Sequence, residues 1–212
     1  MSPVQVLLAT RNAKKLTELR RILAAPEITE IRVLGLDDVP PFPEAPETAA
    51  TFEGNALAKA ERAAAATGLV SVADDSGLEV DALHGMPGVL SARWAGRHGD
   101  DAANLALVLD QLADVPDARR GAAFVCVAAL VVPPSAARSQ PAHTVVRGEW
   151  RGTLTRVPRG GNGFGYDPIF VPDGDRRTSA ELDPAEKDAM SHRGRALRAL
   201  LPALRAVAGE VS

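Results

Sequence analysis

Four carboxylates fall within eight consecutive positions of SVADDSGLEVD, residues 71–81: Asp74, Asp75, Glu79 and Asp81. Two like charges about 4 Å apart repel by roughly 4 kcal/mol at an effective dielectric near 20, so acids this crowded beside an apolar strand need water or a cation. In GLEVDAL, the apolar Leu78, Val80 and Ala82 alternate with Glu79 and Asp81. Strand side chains alternate between faces, which makes Glu79 and Asp81 the wet face of a half-buried strand. Asp74 and Asp75 differ, because they end the apolar run LVSVAD and enter a Ser-Gly turn. Open α/β sheets present ligand groups at such strand ends, and paired carboxylates there suit a hard, oxygen-preferring cation such as Mg2+. An Asx-turn or a helix cap is the alternative use of an aspartate at a turn.

A second candidate is ATRNAKK at 9–15. A strand that leads into a helix N-terminus offers backbone N–H groups and a positive dipole end, a combination that binds phosphate. Thr10 and Asn12 add short polar groups, and Lys14 or Lys15 adds charge. The spacing is not that of a P-loop, and a capped helix with a surface lysine pair is the plainer explanation. The chain has twenty arginines and only four lysines, Lys14, Lys15, Lys59 and Lys187. Each lysine therefore departs from the prevailing preference for arginine, and a lysine is a point charge suited to phosphate oxygens.

The third segment, RGGNGFGYDPIF at 159–170, is glycine-rich but meets Pro168 instead of opening a helix, so it is not a dinucleotide fingerprint. Glycines interleaved with Phe164 and Tyr166 let backbone approach a flat ligand while the rings stack on it; a hairpin loop with aromatic plugs is the competing reading. In EKDAMSHRGRAL, 186–197, Ser191 is placed to cap a helix with His192 and Arg193 in its first turn. Cations at a helix N-terminus oppose the dipole, and an anionic or carbonyl-bearing ligand would offset that.

The elements that must position these groups alternate between strands and helices. VQVLLAT (4–10) is a strand, and NAKKLTELRRILAAP is a helix capped by Asn12, with Leu16, Leu19 and Leu23 on one face and Pro26 as its stop. IRVLGL (31–36) is a strand, followed by a loop with four prolines at 37–48. A helix over 51–68 ends at Gly68. LVSVAD and GLEVDAL are two further strands, and 100–115 is a helix with Leu105, Leu109 and Leu112 at helical spacing. AAFVCVAALVV and HTVVRGEWRGTLT are long strands joined by a loose loop, and roughly 184–208 is helical. The class is α/β with mixed strand directions, in a single domain over 1–212.

Composition narrows the function. A net charge of -3 and a pI near 5.8 give no basic field for a nucleic-acid backbone. The longest apolar run, 122–132, is too short to span a bilayer, and no leader pattern opens the chain, so the expectation is a soluble cytoplasmic protein. The single cysteine, Cys126, lies in an apolar run and reads as a small buried side chain.

Taken in order and spacing, ATRNAKKLTELRRIL, PETAATFEGNALAKA, ADDSGLEVDALHGMPGVLSARWAG, GGNGFGYDPIF and AELDPAEKDAMSHRGRAL resemble the motifs of the inosine/xanthosine triphosphate pyrophosphatases over about residues 4–205. The resemblance implies an elongated mixed sheet with flanking helices, two lobes around a central cleft, and a homodimer. It also implies Mg2+-dependent hydrolysis of ITP, dITP and XTP to the monophosphate and pyrophosphate, which clears them from the nucleotide pool. Carried over by position, the segment Thr10, Arg11, Asn12, Ala13, Lys14, Lys15 and the helical Lys59 would hold phosphates. Glu47 and Asp75 would ligate metal with Asp74 close by, and Asp75 would be the general base. Ser76, Phe164, Gly165, Tyr166, Asp167, Lys187, His192 and Arg193 would hold the nucleoside.

Two positions depart from the family pattern. Arg11 stands where members often have glycine, and Gly54 stands where many have an acid, which leaves Glu53 as the neighbouring carboxylate. A Maf-like pyrophosphatase, preferring modified pyrimidines, is a rival that SHRG and FGYDP argue against. A nucleotide sensor without turnover is a rival of another class.

Overall fold

The computed structural model describes residues 3–23, 31–43, 46–135 and 139–210. The helix stop expected at Pro26 lies outside the described residues. Among them, six strands form one mixed sheet in the order β2-β1-β3-β4-β5-β6. β1 (Val4–Leu8) runs parallel to β2 (Ile31–Leu34) and to β3 (Val70–Val80), with Val6 opposite Val33 on one side and Val70 on the other. β4 (Gly121–Val132) and β5 (Ala142–Leu154) follow, and β5 pairs antiparallel with β6 (Phe170–Pro172). No helix among the described residues is long and apolar enough to cross a membrane.

The helices begin and end where local chemistry dictates. Asn12 Oδ1 accepts the amides of Lys14 and Lys15 (3.0 and 3.2 Å) at the start of α1 (Ala13–Leu23). Thr51 accepts the Gly54 amide at the start of α2 (Phe52–Thr67), and Gly68 closes it in the left-handed region at φ 69°. Asp100 caps α3 (Asp101–Gln111) through the Ala103 amide. The helical stretch expected over 184–208 is two helices, α4 (Pro184–Met190) and α5 (His192–Glu210). Ser191 breaks it with an extended backbone, and its hydroxyl accepts the Gly194 amide at 3.1 Å.

The chain divides into two compact units. One comprises 1–75, 127–148 and 195–212; the other comprises 76–126 and 149–194. The first has a core built around Leu7, Leu34 and Ala63. The second is centred on Leu78, Val80, Val108, Leu112, Phe124, Trp150, Ile169, Phe170 and Leu182. Cys126 is buried, as its apolar run suggests. Arg120, also buried, donates to the carbonyls of Leu112, Leu154 and Thr155 at 2.7–2.9 Å, joining the end of α3 to the end of β5.

One expectation is overturned. LVSVAD and GLEVDAL are not two strands around a Ser-Gly turn; β3 runs without interruption through Ser76 and Gly77. Asp74 and Asp75 consequently lie in mid-strand and not at a strand end. Asp81 has left the strand for a 3-10 turn, Asp81–Leu83, where it pairs with Arg151 at 2.8 Å. Gly77 serves close approach instead of turning: a Cβ there would collide with the Gly88 carbonyl oxygen and with Ser91 Oγ. That hydroxyl accepts the Leu78 amide at 2.9 Å and donates to the Gly88 carbonyl at 2.6 Å. Gly77→Ala should therefore destabilise the protein by about 1–3 kcal/mol, read in a thermal melt as a Tm drop of several degrees. An unchanged Tm would show that the Gly88–Ser91 segment yields freely.

Candidate functional site

The candidate residues gather into two groups, one within each unit. In the first unit, Asp74 and Asp75 are only 3% and 5% exposed. Consecutive strand residues face opposite ways, so each buried charge requires its own partner. Asp74 Oδ2 meets Lys15 Nζ at 3.0 Å. Asp75 Oδ1 meets Lys59 Nζ at 3.2 Å, while Asp75 Oδ2 accepts from Asn55 Nδ2 at 3.0 Å. Lys59 also forms an ion pair with Glu47 and reaches the Asp74 carbonyl at 3.5 Å.

Asn55 ties this group to the proline-rich loop, because its Oδ1 accepts the Ala49 amide at 3.0 Å. The same loop is held by Arg62, which donates to the Pro43 carbonyl, and by Arg11, which donates to the Phe42 carbonyl at 3.3 Å. The departure at Gly54 has a steric reason: a Cβ there would sit 2.7 Å from the Cβ of Ala49, so an acid at this position would push the loop away.

Burial raises the Asp75 carboxyl above its ordinary 3.8, outweighing the attraction of Lys59 and Lys15 and the Asn55 hydrogen bond, with Glu47 pushing the same way. Burial alone would lower Lys59, but Asp75, Glu47 and Asp74 together hold its ammonium above the usual 10.5. At the start of α1, the amides of Lys14 and Lys15 are committed to the Asn12 cap, and Thr10 Oγ1 accepts the Asn12 amide at 3.3 Å. The cap thus takes up backbone donors that the sequence suggested for phosphate. The side chains of Lys15 and Lys59, rather than those amides, point to the carboxylates.

No group of three or more His, Cys, Asp or Glu side chains arranged to hold a metal occurs among the described residues. The reason lies in the geometry: Asp74 turns to Lys15, and the Lys59 ammonium stands between Glu47 and Asp75. Two carboxylates that converge on one cation nevertheless form a suitable donor set for Mg2+, which uses one or two protein carboxylates and completes its shell with water and phosphate.

In the second unit, Arg193 donates to Ser76 Oγ at 3.0 Å and is almost wholly buried. Its guanidinium carbon and the Lys187 ammonium lie 5.8 and 5.3 Å from the centroid of the Phe164 ring, within cation–π range. Asp167 organises the glycine-rich loop from inside, accepting the Phe164 amide (2.8 Å), the Ser179 hydroxyl (2.7 Å) and the Lys187 ammonium (2.6 Å). Its carboxylate fills the place a side chain would take at Gly163, where the backbone is left-handed at φ 76°. The Gly165 amide donates to Asp101 Oδ2 at 3.2 Å, fastening the loop to α3.

Tyr166 is not an open stacking face. It is 5% exposed, packs in the core, and its hydroxyl donates to the Ser91 carbonyl at 2.8 Å; burial pushes the phenol above its usual range. His192 stacks on Phe124 with centroids 4.8 Å apart and planes at 12°. Asn55 and Ser179 were missing from the sequence-derived set. Asn55 belongs to the quoted TFEGN stretch, whereas Ser179 carried no comparable signal.

The first unit thus carries buried carboxylates balanced by lysines, and the second carries an arginine and a lysine beside the Phe164 ring. The chain belongs to the Ham1 family, whose model matches residues 6–203. It is 67% identical over 208 residues to a dITP/XTP pyrophosphatase of Nocardia farcinica, covering 98% of each chain. It is 65% identical to one of Mycobacterium tuberculosis over 204 residues, 96% of this chain and 97% of the relative. Among solved structures, a HAM1 protein from Coxiella burnetii superposes with a TM-score of 0.81 at 43% identity, over 95% of this chain and 98% of that one. A nucleoside-triphosphatase, dITP/XTP pyrophosphatase, from Mycobacterium abscessus gives a TM-score of 0.73 at 59% identity, over 94% of this chain and all of that one.

The raised Asp75 pKa has a consequence for stability. The folded protein retains this proton to higher pH than the unfolded chain, so the group's stabilising contribution is complete below about 3.8 and is lost as pH rises through the raised value. Lys59 works the other way: its raised pKa is a stabilising contribution that is complete below about 10.5 and rests in part on the ionised Asp75. Asp75→Asn keeps the side-chain size and should leave the fold largely intact in a thermal melt while lowering hydrolysis by about a hundredfold or more. Turnover within tenfold of the parent would remove Asp75 from the chemistry.

Proposed function

We propose that this chain hydrolyses non-standard purine nucleoside triphosphates, ITP, dITP and XTP, to the monophosphate and pyrophosphate. The observation that carries the reading is the divided environment of Asp75: one oxygen accepts from Asn55, and the other faces the Lys59 ammonium. A carboxylate positioned in this way, its pKa raised by burial, is suited to receive a proton from water. The names and close similarity of the relatives support the same assignment.

Phosphoryl transfer asks a protein mainly for positioning and charge neutralisation. Glu47 and Asp75, with Asp74 nearby, would hold Mg2+, which when bound supplies positive charge to the phosphate oxygens. Lys15, Lys59, Thr10, Asn12 and the other residues of the segment through Arg11, Ala13 and Lys14 take the triphosphate. Water attacks the α-phosphorus and passes its proton to Asp75; the bond from that phosphorus to the bridging oxygen breaks, and pyrophosphate leaves with the electron pair. In the second unit, Phe164 and the backbone of the loop from Gly165 to Asp167, together with Ser76, Lys187, His192 and Arg193, serve the nucleoside. The working form in this reading is a cytoplasmic homodimer that acts on free nucleotides and not on nucleic acid or membranes.

The direct test is pyrophosphate release from ITP, dITP and XTP with Mg2+, and its loss with EDTA. Nucleotide binding without pyrophosphate would identify a sensor instead, and full activity in EDTA would reject the metal.

Selectivity is assigned to Arg193. Hypoxanthine and xanthine present a carbonyl at C6, where adenine presents an amino group. Arginine is a pure donor, and a site of unmatched donors can reject the wrong partner by roughly 10⁴-fold. Arg193→Leu should lower kcat/KM strongly for ITP and hardly at all for ATP. An unchanged ITP/ATP ratio in steady-state kinetics would place base reading elsewhere.

A further inference from the structure

Lys59 holds a position that neither a plain surface lysine nor a plain phosphate contact explains. Its ammonium touches three acceptors: the Glu47 carboxylate, Asp75 Oδ1 and the Asp74 carbonyl. An ammonium has three donors, so these contacts use its full capacity. The side chain is only 17% exposed, against 8% for Asp75 and 26% for Glu47. Around it, Glu47 and Asp75 face the Lys59 ammonium, and Asp74 Oδ2 faces Lys15.

We propose that Lys59 is a tethered counter-ion that occupies the converging point of Glu47 and Asp75, and that a divalent cation binds there only as this ammonium withdraws. The inference rests on the assignment of Glu47 and Asp75 as the cation-holding carboxylates. A dication and an ammonium cannot share one pair of carboxylate oxygens, because like charges at contact repel strongly in a largely buried setting. Lys15 is not the group displaced, since it lies on Asp74 Oδ2. Asn55, one helical turn before Lys59, retains its hold on Asp75 Oδ2 during the exchange, so the carboxylate stays in place while its other oxygen changes partner. Lys59 thereby sets the cation concentration at which the cluster converts, and its released ammonium becomes available to phosphate oxygens only after conversion.

The experiment measures Mn2+ binding to the nucleotide-free protein by electron paramagnetic resonance, and Mg2+ binding by calorimetry, in the parent, Lys59→Met, Lys15→Met and Glu47→Gln. Lys59→Met should tighten cation binding at least tenfold and by clearly more than Lys15→Met, which removes a similar charge without vacating the same oxygens. Its melting temperature should fall without divalent cation and recover when Mg2+ is added. Equal gains in the two lysine variants, or no gain in Lys59→Met, would overturn the proposal by reducing Lys59 to background charge. If Lys59→Met does not fold, reductive methylation of the parent decides: Lys59 should react slowly without Mg2+ and faster with it, and an unchanged rate would refute the exchange. Cation binding that Glu47→Gln leaves intact would overturn the metal assignment itself. Binding that Glu47→Gln abolishes and Lys59→Met does not improve would overturn only the counter-ion role.

Discussion

Two adjacent aspartates buried in the middle of a strand constrain the first unit more than any apolar contact. Because consecutive strand residues face opposite ways, one cation cannot satisfy both carboxylates from one side. Asp74 takes Lys15 from α1, and Asp75 takes Lys59 and Asn55 from α2. Both helices are thus drawn to the same strand by charge. The parallel pairing of β1 with β3 puts the end of β1, and with it the start of α1, beside Val72, where the Ala9 amide donates to the Val72 carbonyl at 2.8 Å. Two of the chain's four lysines are spent on this cluster. Lysine fits the task because its compact charge can leave one oxygen for another, whereas a forked guanidinium is held by several at once.

The parts of the fold that were legible in the sequence are those governed by local chemistry. Asn12, Gly68 and Ser191 act on backbone groups within a few residues, so the caps and the stop they suggest appear in the structure. The parts that were not legible depend on distant neighbours. Gly77 was read through its conformational freedom, as a turn, but it is used for its missing Cβ, and the obstacle is supplied by Gly88 and Ser91. Tyr166 sits among glycines as an exposed ring would, yet its hydroxyl partner is the Ser91 carbonyl, 75 residues away in sequence. β6 has three residues and is defined by its register against β5, which no pattern within Phe170–Pro172 announces.

The candidate site follows the same division. The carboxylates and lysines were evident as residue types, but their pairing was not. That Lys59 lies against Glu47 depends on how the proline-rich loop is fastened, and the fastening is done by Asn55 and Arg62. In the second unit, Asp167 was grouped with the residues presented to a ligand, while its carboxylate is turned inward to an amide, a hydroxyl and an ammonium. A buried charge-assisted network of this kind specifies one loop geometry, because every alternative leaves a charged group without its partners.

The boundaries between the two units fall at 75/76, 126/127, 148/149 and 194/195, inside β3, β4, β5 and α5 respectively. None coincides with a loop. Neither unit is therefore a segment that a gene could gain, lose or exchange by itself, since every crossover at a boundary would join half of one ancestor's strand or helix to half of another's. The halves of such a chain can only be inherited together. Variation has to accumulate by substitution within a fixed plan or by insertion between elements, which is a physical reason for similarity that covers nearly the full length of the relatives.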